Sequence, residues 1–369
     1  MNDDLAGRLA SRTLELVDLP SESGDEAAIL AALRELVPPE GFDLADDGDA
    51  ALLFLPLARR PGAPLVLLAG HVDTVPAAGN VPGRLGDAAV IGRGASDMKG
   101  ALAVMLEIAA ETEALDASDL DVGLLFVGRE ELPITESALL PLLERYPALR
   151  EVALAIVMEP TANALEVGCM GNLNATVRAT GSAAHTARPW LGENAVHTAI
   201  EALAPLVDLP TRDVEIDGLV FREVVSVTRI EGGGARNVIP DRAEAHVNMR
   251  YAPNHTPAEA ELRLRELLGS HPVEVDIVGN APPGPLTLTN PLVVRLRDAG
   301  ELVVGPKQAW TPVAEFASAG VDAVNFGPGD PQYAHRDDER VEVAALVRST
   351  EIVRAFLAAG AGRAAGEDA

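Results

Sequence analysis

An imidazole and a carboxylate stand two residues apart in Gly70-His71-Val72-Asp73-Thr74-Val75-Pro76, and a further aspartate sits in Gly94-Ala95-Ser96-Asp97-Met98-Lys99-Gly100. Two glutamates adjoin at Glu130-Glu131, another precedes a proline at Glu159-Pro160, and a second imidazole follows a glycine-rich loop at His335. Imidazole and carboxylate suit zinc and its first-row neighbours, and an aspartate can bridge two ions with one oxygen on each. Singly, these residues carry little weight. A His-x-Asp pair is usually a surface histidine with a hydrogen-bonded neighbour, and adjacent glutamates are usually a solvated loop. Their weight comes from a shared position just past apolar runs that read as buried strands, Leu65–Ala69, Val122–Val127, Val152–Met158 and Val321–Phe326. Open α/β sheets bind ligands at that edge.

The elements that must hold this rim follow from periodicity. Leu5, Leu9, Thr13, Leu16 and Val17 share one helical face, and Leu19-Pro20 ends the run. Ser23 with Glu26 reads as a capping box opening a second helix, with Ile29, Leu30, Leu33 and Leu36 as its buried stripe. Two short strands follow, then helix from about Met98 to Ala114, strand, helix around Glu136–Glu144 and strand. Such alternation implies an α/β layer with a mostly parallel sheet covered on both faces. From about Leu173 the pattern becomes polar–apolar alternation (Asn174–Thr180, Val224–Ile230, Arg242–Arg250) with helices at Asn194–Leu206 and Pro257–Leu268, as in an antiparallel α+β unit. A Pro/Gly-rich linker at Gly279–Pro285 returns the chain to the first texture. The expectation is one discontinuous α/β domain, residues 1–173 and 284–369, interrupted by an α+β insertion, residues 174–283. The Ala/Gly-rich end, Ala358–Ala369, is expected to fray.

Other chemistries fit less well. Met98 stands where a nucleophile elbow needs its second glycine, and Gly92–Gly100 lacks the order of a phosphate-binding loop. Gly232-Gly233-Gly234 reads as a loop, Cys169 as a small buried hydrophobe, and His197, His246 and His255 as ordinary structural or surface histidines. The single cysteine rules out an intrachain disulfide. With 29 Lys+Arg against 56 Asp+Glu, the formal net charge of -27 argues against nucleic acid or an anionic bilayer as partner. No apolar targeting segment follows Met1 and no apolar run reaches membrane-spanning length, so a cytoplasmic location is expected.

The motifs around His71, Asp97, Glu130-Glu131, Glu159 and His335, together with Gly181-Ser182-Ala183-Ala184-His185 and Arg236-Asn237-Val238-Ile239-Pro240, resemble the dinuclear zinc amidohydrolase and peptidase family. That family includes succinyl-diaminopimelate desuccinylase, acetylornithine deacetylase and glutamate carboxypeptidase. The match runs in order over nearly the whole chain. The stretches Ala184–His197 and Asn325–Asp330 look most like desuccinylases of actinobacterial type. The resemblance implies a zinc-peptidase-like catalytic domain with an inserted ferredoxin-like lid and dimerisation domain. It implies that His71 and Glu159 hold one zinc ion, Glu131 and His335 the other, and Asp97 bridges them, with cobalt or manganese also compatible with this donor set. Asp73 would orient His71, Glu130 would be the general base, and His185 would donate to the oxyanion, reaching the site of the partner in a homodimer. Asn237 and Arg250 would bind substrate, the guanidinium being suited to a carboxylate. The implied reaction is hydrolysis of N-succinyl-LL-2,6-diaminopimelate. Gly168-Cys169-Met170-Gly171-Asn172 lacks the arginine and serine that some desuccinylases carry there. Acetylornithine deacetylase, an aminoacylase or carboxypeptidase, and a non-catalytic metal-binding protein therefore stay open as alternatives.

Overall fold

The run Leu65–Ala69 offers no polar side chain to water. In the computed structural model, which describes residues 2–48 and 50–359, it forms the strand Leu65–His71, buried along its whole length. Parallel neighbours flank it on both sides, Asp121–Val127 and Val152–Val157. The full sheet runs Phe42–Asp46, Ala51–Pro56, Asp121–Val127, Leu65–His71, Val152–Val157, Ala323–Asn325, Leu165–Val167, Val304–Pro306. Its centre is parallel, and antiparallel strands extend it on either side. A sheet buried on both faces needs helices on each. The helix Gly100–Ala109 is apolar almost all round and correspondingly buried. It packs against Asn2–Val17 and Val343–Ala358. Gly70 permits its close approach to the sheet, because a Cβ there would lie 2.7 Å from Leu102 Cδ2 and 2.8 Å from Met98 Cε.

The chain divides into two compact units, Met1–Gly168 with Leu286–Gly305 and Thr311–Ala369, and Cys169–Pro285 with Pro306–Trp310. The second unit is an α+β insertion in the order β-α-β-β-α-β: strand Gly171–Thr180, helix Ala195–Val207, strands Leu219–Gly232 and Arg242–Tyr251, helix Pro257–Leu268 and strand Val273–Ala281. Its sheet runs Arg212–Ile216, Leu219–Gly232, Arg242–Tyr251, Gly171–Thr180, Val273–Ala281, antiparallel throughout. This is the ferredoxin-like arrangement with Arg212–Ile216 as an added hairpin strand. Leu173, Ala175 and Val177 alternate inward with Ala245, Val247 and Met249 to form a core with Leu203, Leu206, Leu264 and Leu268 of the helices. Asn172, Asn174 and Asn248 take the opposite face, where Asn248 Nδ2 donates to Asn172 Oδ1 at 2.8 Å and Asn174 Oδ1 at 2.9 Å.

Two local expectations need correction. The insertion claims residues 169–173, of which 171–173 pair into its sheet, and residues 284–285 and 306–310. Met170 donates its N–H to the Ala309 carbonyl at 3.0 Å, and Gln308 bonds the backbone of Val220 and Arg222 at 3.0 Å each. Nor do Ser23 and Glu26 form a capping box: the helix Ala27–Leu36 has Glu26 itself at its N-cap position, with no side-chain cap. Gly24 turns the chain at φ 95°, which leaves Ser23 outside capping reach. A reciprocal capping box does occur at Thr256 and Glu259, ahead of the helix Pro257–Leu268. Residues 360–369, most of the stretch expected to fray, lie outside the described residues. No helix among the described residues is long and apolar enough to cross a membrane.

Candidate active site

Three strand ends, a turn carrying Asp97 and a loop carrying His335 deliver the chemistry of the first unit. His71 closes the strand Leu65–His71 and is 2% exposed. Its Nδ1 lies 3.0 Å from the Asp73 carbonyl oxygen and 3.6 Å from Asp73 Oδ1. Its Nε2 lies 3.0 Å from Asp97 Oδ1 and 3.9 Å from Glu159 Oε1. A proton on Nδ1, donated to the Asp73 carbonyl, leaves Nε2 as the ligand atom. Asp73 thus reaches the imidazole chiefly through its backbone carbonyl rather than its carboxylate.

The Asp73 carboxylate is spent elsewhere. Fully buried, it accepts the Ser23 hydroxyl at 2.7 Å and the backbone N–H groups of Glu130 and Glu131 at 3.1 Å each. Burial presses its pKa upward, but the His71 ring, the Ser23 hydroxyl and the Glu130 N–H outweigh that and hold it below the usual range. The buried Glu26 acts in the same way one residue earlier, its Oε1 accepting the N–H of Gly24 at 2.8 Å and of Arg129 at 3.2 Å. Three successive N–H groups of the turn carrying the paired glutamates are therefore held by two buried carboxylates. Ser23 and Glu26 carry a local signature for capping, and nothing in their spacing announces this distant use.

Glu130 has a pKa pushed well above that of an ordinary carboxyl, first by burial and then by the neighbouring charges of Glu159 and Glu131, with His71 opposing. His335 Nε2 lies 3.0 Å from Glu131 Oε1 and 3.4 Å from Asp97 Oδ2. Those two acceptors, against the effect of burial, raise the half-exposed imidazole to about 10. Asp97 thus sends Oδ1 to one imidazole and Oδ2 to the other. Around it, ligand atoms of His71, Asp97 and Glu159, and of Asp97, Glu131 and His335, lie within 4.8 Å of one another in two triads that share the aspartate.

Each triad offers one imidazole nitrogen and two carboxylates. This donor set fits a divalent ion, and the crowding of Asp97, Glu130, Glu131 and Glu159 supplies charge for two such ions to offset.

The remaining proposed site residues lie in the second unit. His185 belongs to the ribbon Ala184–His185, paired with Val238–Ile239, and Thr186 donates its N–H to the Asn237 carbonyl at 3.1 Å. His185 and Asn237 are therefore neighbours, both exposed. Arg250 lies elsewhere, beside Asn172 near the end of the strand Arg242–Tyr251, whereas the ribbon adjoins the Arg242 end. Arg250 lies eight residue steps along the strand from Arg242, a span of roughly 27 Å at strand rise.

The sequence model of the peptidase family M20/M25/M40 matches residues 67–359. A Mycobacterium tuberculosis protein provisionally named as succinyl-diaminopimelate desuccinylase is 39% identical over 96% of this chain and 99% of its own length. The succinyl-diaminopimelate desuccinylase of Corynebacterium glutamicum is 36% identical over 96% of this chain and 97% of its own. Among solved structures, an M20 family metallo-carboxypeptidase of Sulfolobus solfataricus shares the fold with a TM-score of 0.77 at 18% identity, covering 95% of this chain and 98% of that one.

Proposed function

The chain belongs to the peptidase family M20/M25/M40 and is an amidohydrolase; from that premise we propose that it cleaves N-succinyl-LL-2,6-diaminopimelate to succinate and LL-2,6-diaminopimelate in the cytoplasm, using two divalent ions. The observation that carries the two-ion reading is the division of Asp97 between two imidazoles, one oxygen toward each. When bound, zinc ions at these triads would polarise the amide carbonyl and acidify a water at the site. His71, Glu159, Glu131 and His335 would hold them, with Asp97 common to both. Cobalt and manganese also suit the donor set.

The protein's own groups divide the rest of the work. Glu130 takes the proton of the attacking water and returns it to the leaving amine, a shuttle suited to a carboxyl whose proton affinity burial and like charge raise. Asp73 and Glu26 fix the turn from which Glu130 projects. The two ends of one strand in the second unit supply different parts. Arg250 pairs with a substrate carboxylate, a local attraction that a chain of net charge -27 cannot provide at long range. His185 donates to the developing oxyanion and Asn237 binds substrate.

We place His185 and Asn237, which lie roughly 27 Å along the sheet from Arg250, in the site of a second copy within a homodimer. Trp190 and Leu191, exposed in the loop after His185, and the uncovered edge of the strand Leu219–Gly232 beyond its pairing with Arg212–Ile216 suit such an interface.

The desuccinylase reading is supported by relatives of that name at 36% and 39% identity. The absence of an arginine from Gly168–Asn172 favours acetylornithine deacetylase as the second reading. Steady-state rates of zinc-loaded enzyme on N-succinyl, N-acetyl and dipeptide substrates decide between them. Highest kcat/KM is expected on N-succinyl-LL-2,6-diaminopimelate, and a strong preference for N-acetylornithine would replace the first reading with the second.

A further inference from the structure

The short strand Arg340–Glu342 pairs antiparallel with Ala89–Ile91, which brings Glu339 against Gly92 and Arg93. Neither Arg93 nor Glu339 belongs to the ligand set, yet both are buried, at 4% and 1% exposure. Arg93 Nη1 donates to Glu339 Oε2 at 2.9 Å. The other carboxylate oxygen of Glu339 accepts two backbone N–H groups, from Ser96 at 3.1 Å and Asp97 at 3.0 Å. One of these donors belongs to Asp97, the residue shared by both triads, and the other to the residue before it. The same Arg93 Nη1 also donates to the Arg336 carbonyl at 3.3 Å, one residue past His335. One buried ion pair thus ties the turn that carries Asp97 to the loop that carries His335.

A buried ion pair contributes little net stability, because the cost of desolvating both charges roughly cancels their attraction. Here its consequence is positional. His71 and Glu159 are placed by parallel strand ends, with Met158 donating its N–H to the Ala69 carbonyl at 2.8 Å. Glu131 is placed by Asp73. His335 sits in a loop at φ 63°, half-exposed, without a regular strand beneath it. The triad Asp97, Glu131 and His335 therefore takes the relation between two of its three ligands from the pair, together with the Ser96 hydroxyl donated to the Asp330 carbonyl at 2.9 Å, whereas the triad His71, Asp97 and Glu159 depends on the pair only through the shared aspartate.

We propose that Arg93 and Glu339 are positioning residues that set the affinity of the Asp97–Glu131–His335 triad for its ion, and so the difference in affinity between the two halves of the site. This rests on the two-ion reading above.

The test is calorimetric titration of metal-stripped, full-length protein with zinc in the presence of a competing chelator, comparing wild type with Glu339→Ala, Glu339→Gln and Arg93→Met. Wild type must bind two ions; binding of fewer defeats the two-ion reading itself, and the proposal with it. In Glu339→Ala and Arg93→Met one binding step should weaken by about 10- to 100-fold while the other holds. Glu339→Gln keeps an acceptor for the Ser96 and Asp97 N–H groups and should show a smaller loss in the same step. Two wild-type steps unchanged in Glu339→Ala, or both weakened equally, would overturn the positioning role. Should Glu339→Ala fail to fold, Glu339→Gln and Arg93→Met decide, and wild-type titrations in both refute the proposal.

Discussion

Asp73 accepts the backbone N–H of Glu131 at 3.1 Å, so the residue that steadies the first imidazole also places a ligand of the second triad. With Glu130 held through the other oxygen, one buried carboxylate couples His71, the proposed base and the second triad.

Asp73→Asn should therefore damage both halves of the site together. The amide would place an N–H group against one of the two backbone donors, and kcat/KM should fall by about 10- to 100-fold, the scale on which partners of metal ligands act. Elemental analysis and steady-state kinetics on the same preparation check this. An unchanged kcat/KM would refute the coupling.

Glu130→Gln should separate binding from proton transfer. Its side-chain volume is kept and it is not one of the proposed ligands, so elemental analysis should still find two ions. Turnover should be nearly abolished, because an amide cannot shuttle the proton. Retained turnover would remove Glu130 as the base. Removal of the ions from wild type by a chelator should abolish turnover, and zinc should restore it.

Placing His185 in the site of a second copy predicts complementation between copies. His185→Ala should cost on the order of 10² to 10³ in kcat, as for loss of one oxyanion donor. Mixing it with inactive Glu130→Ala subunits creates dimers in which one site has both groups. Recovered activity after proven subunit exchange is expected. No recovery would mean that His185 serves its own subunit.

Glu315 predicts a pH dependence away from the site. On the helix Val313–Ser318, it is 3% exposed and accepts the Ser137 hydroxyl. Burial raises its pKa from 4.5 to about 7, with the hydroxyl opposing. The folded state then holds a proton that the unfolded chain has lost, so stability declines as pH rises from about 4.5 to about 7 and levels off above. The carboxyl should cost on the order of 3 kcal/mol at pH 8. Denaturant unfolding of metal-free Glu315→Gln should therefore match wild type at low pH and exceed its stability at pH 8. An equal difference at both pH values would show that ionisation is not the cause.

Much of the candidate site was legible because polar side chains at the ends of buried strands leave a local mark. Each buried strand must be written as an unbroken apolar run, so His71 and Glu159 stand out as the first polar side chains at its end, and Glu130 and Glu131 follow Gly128 and Arg129, just past the Val127 that ends another. Likewise Thr256 and Glu259 announce a helix start, since a capping box is made within four residues. The same logic misleads at Ser23 and Glu26, whose spacing fits a capping box while their actual partners lie 50 and 103 residues away.

The amino-acid sequence by itself determined the layer architecture, the interruption of the first domain and the residue types gathered on its rim, because periodicity and strand-end position are local properties of the chain. Only the tertiary structure decided how those residues are held: the turn of Glu130 and Glu131 between Glu26 and Asp73, the Asp97 turn fastened to the His335 loop by Arg93 and Glu339, and Arg250 set apart from His185 and Asn237. A hydrogen bond between Asp97 and Glu339 spans 242 residues and requires only that two buried groups meet, so neither residue's neighbourhood in the chain need show it.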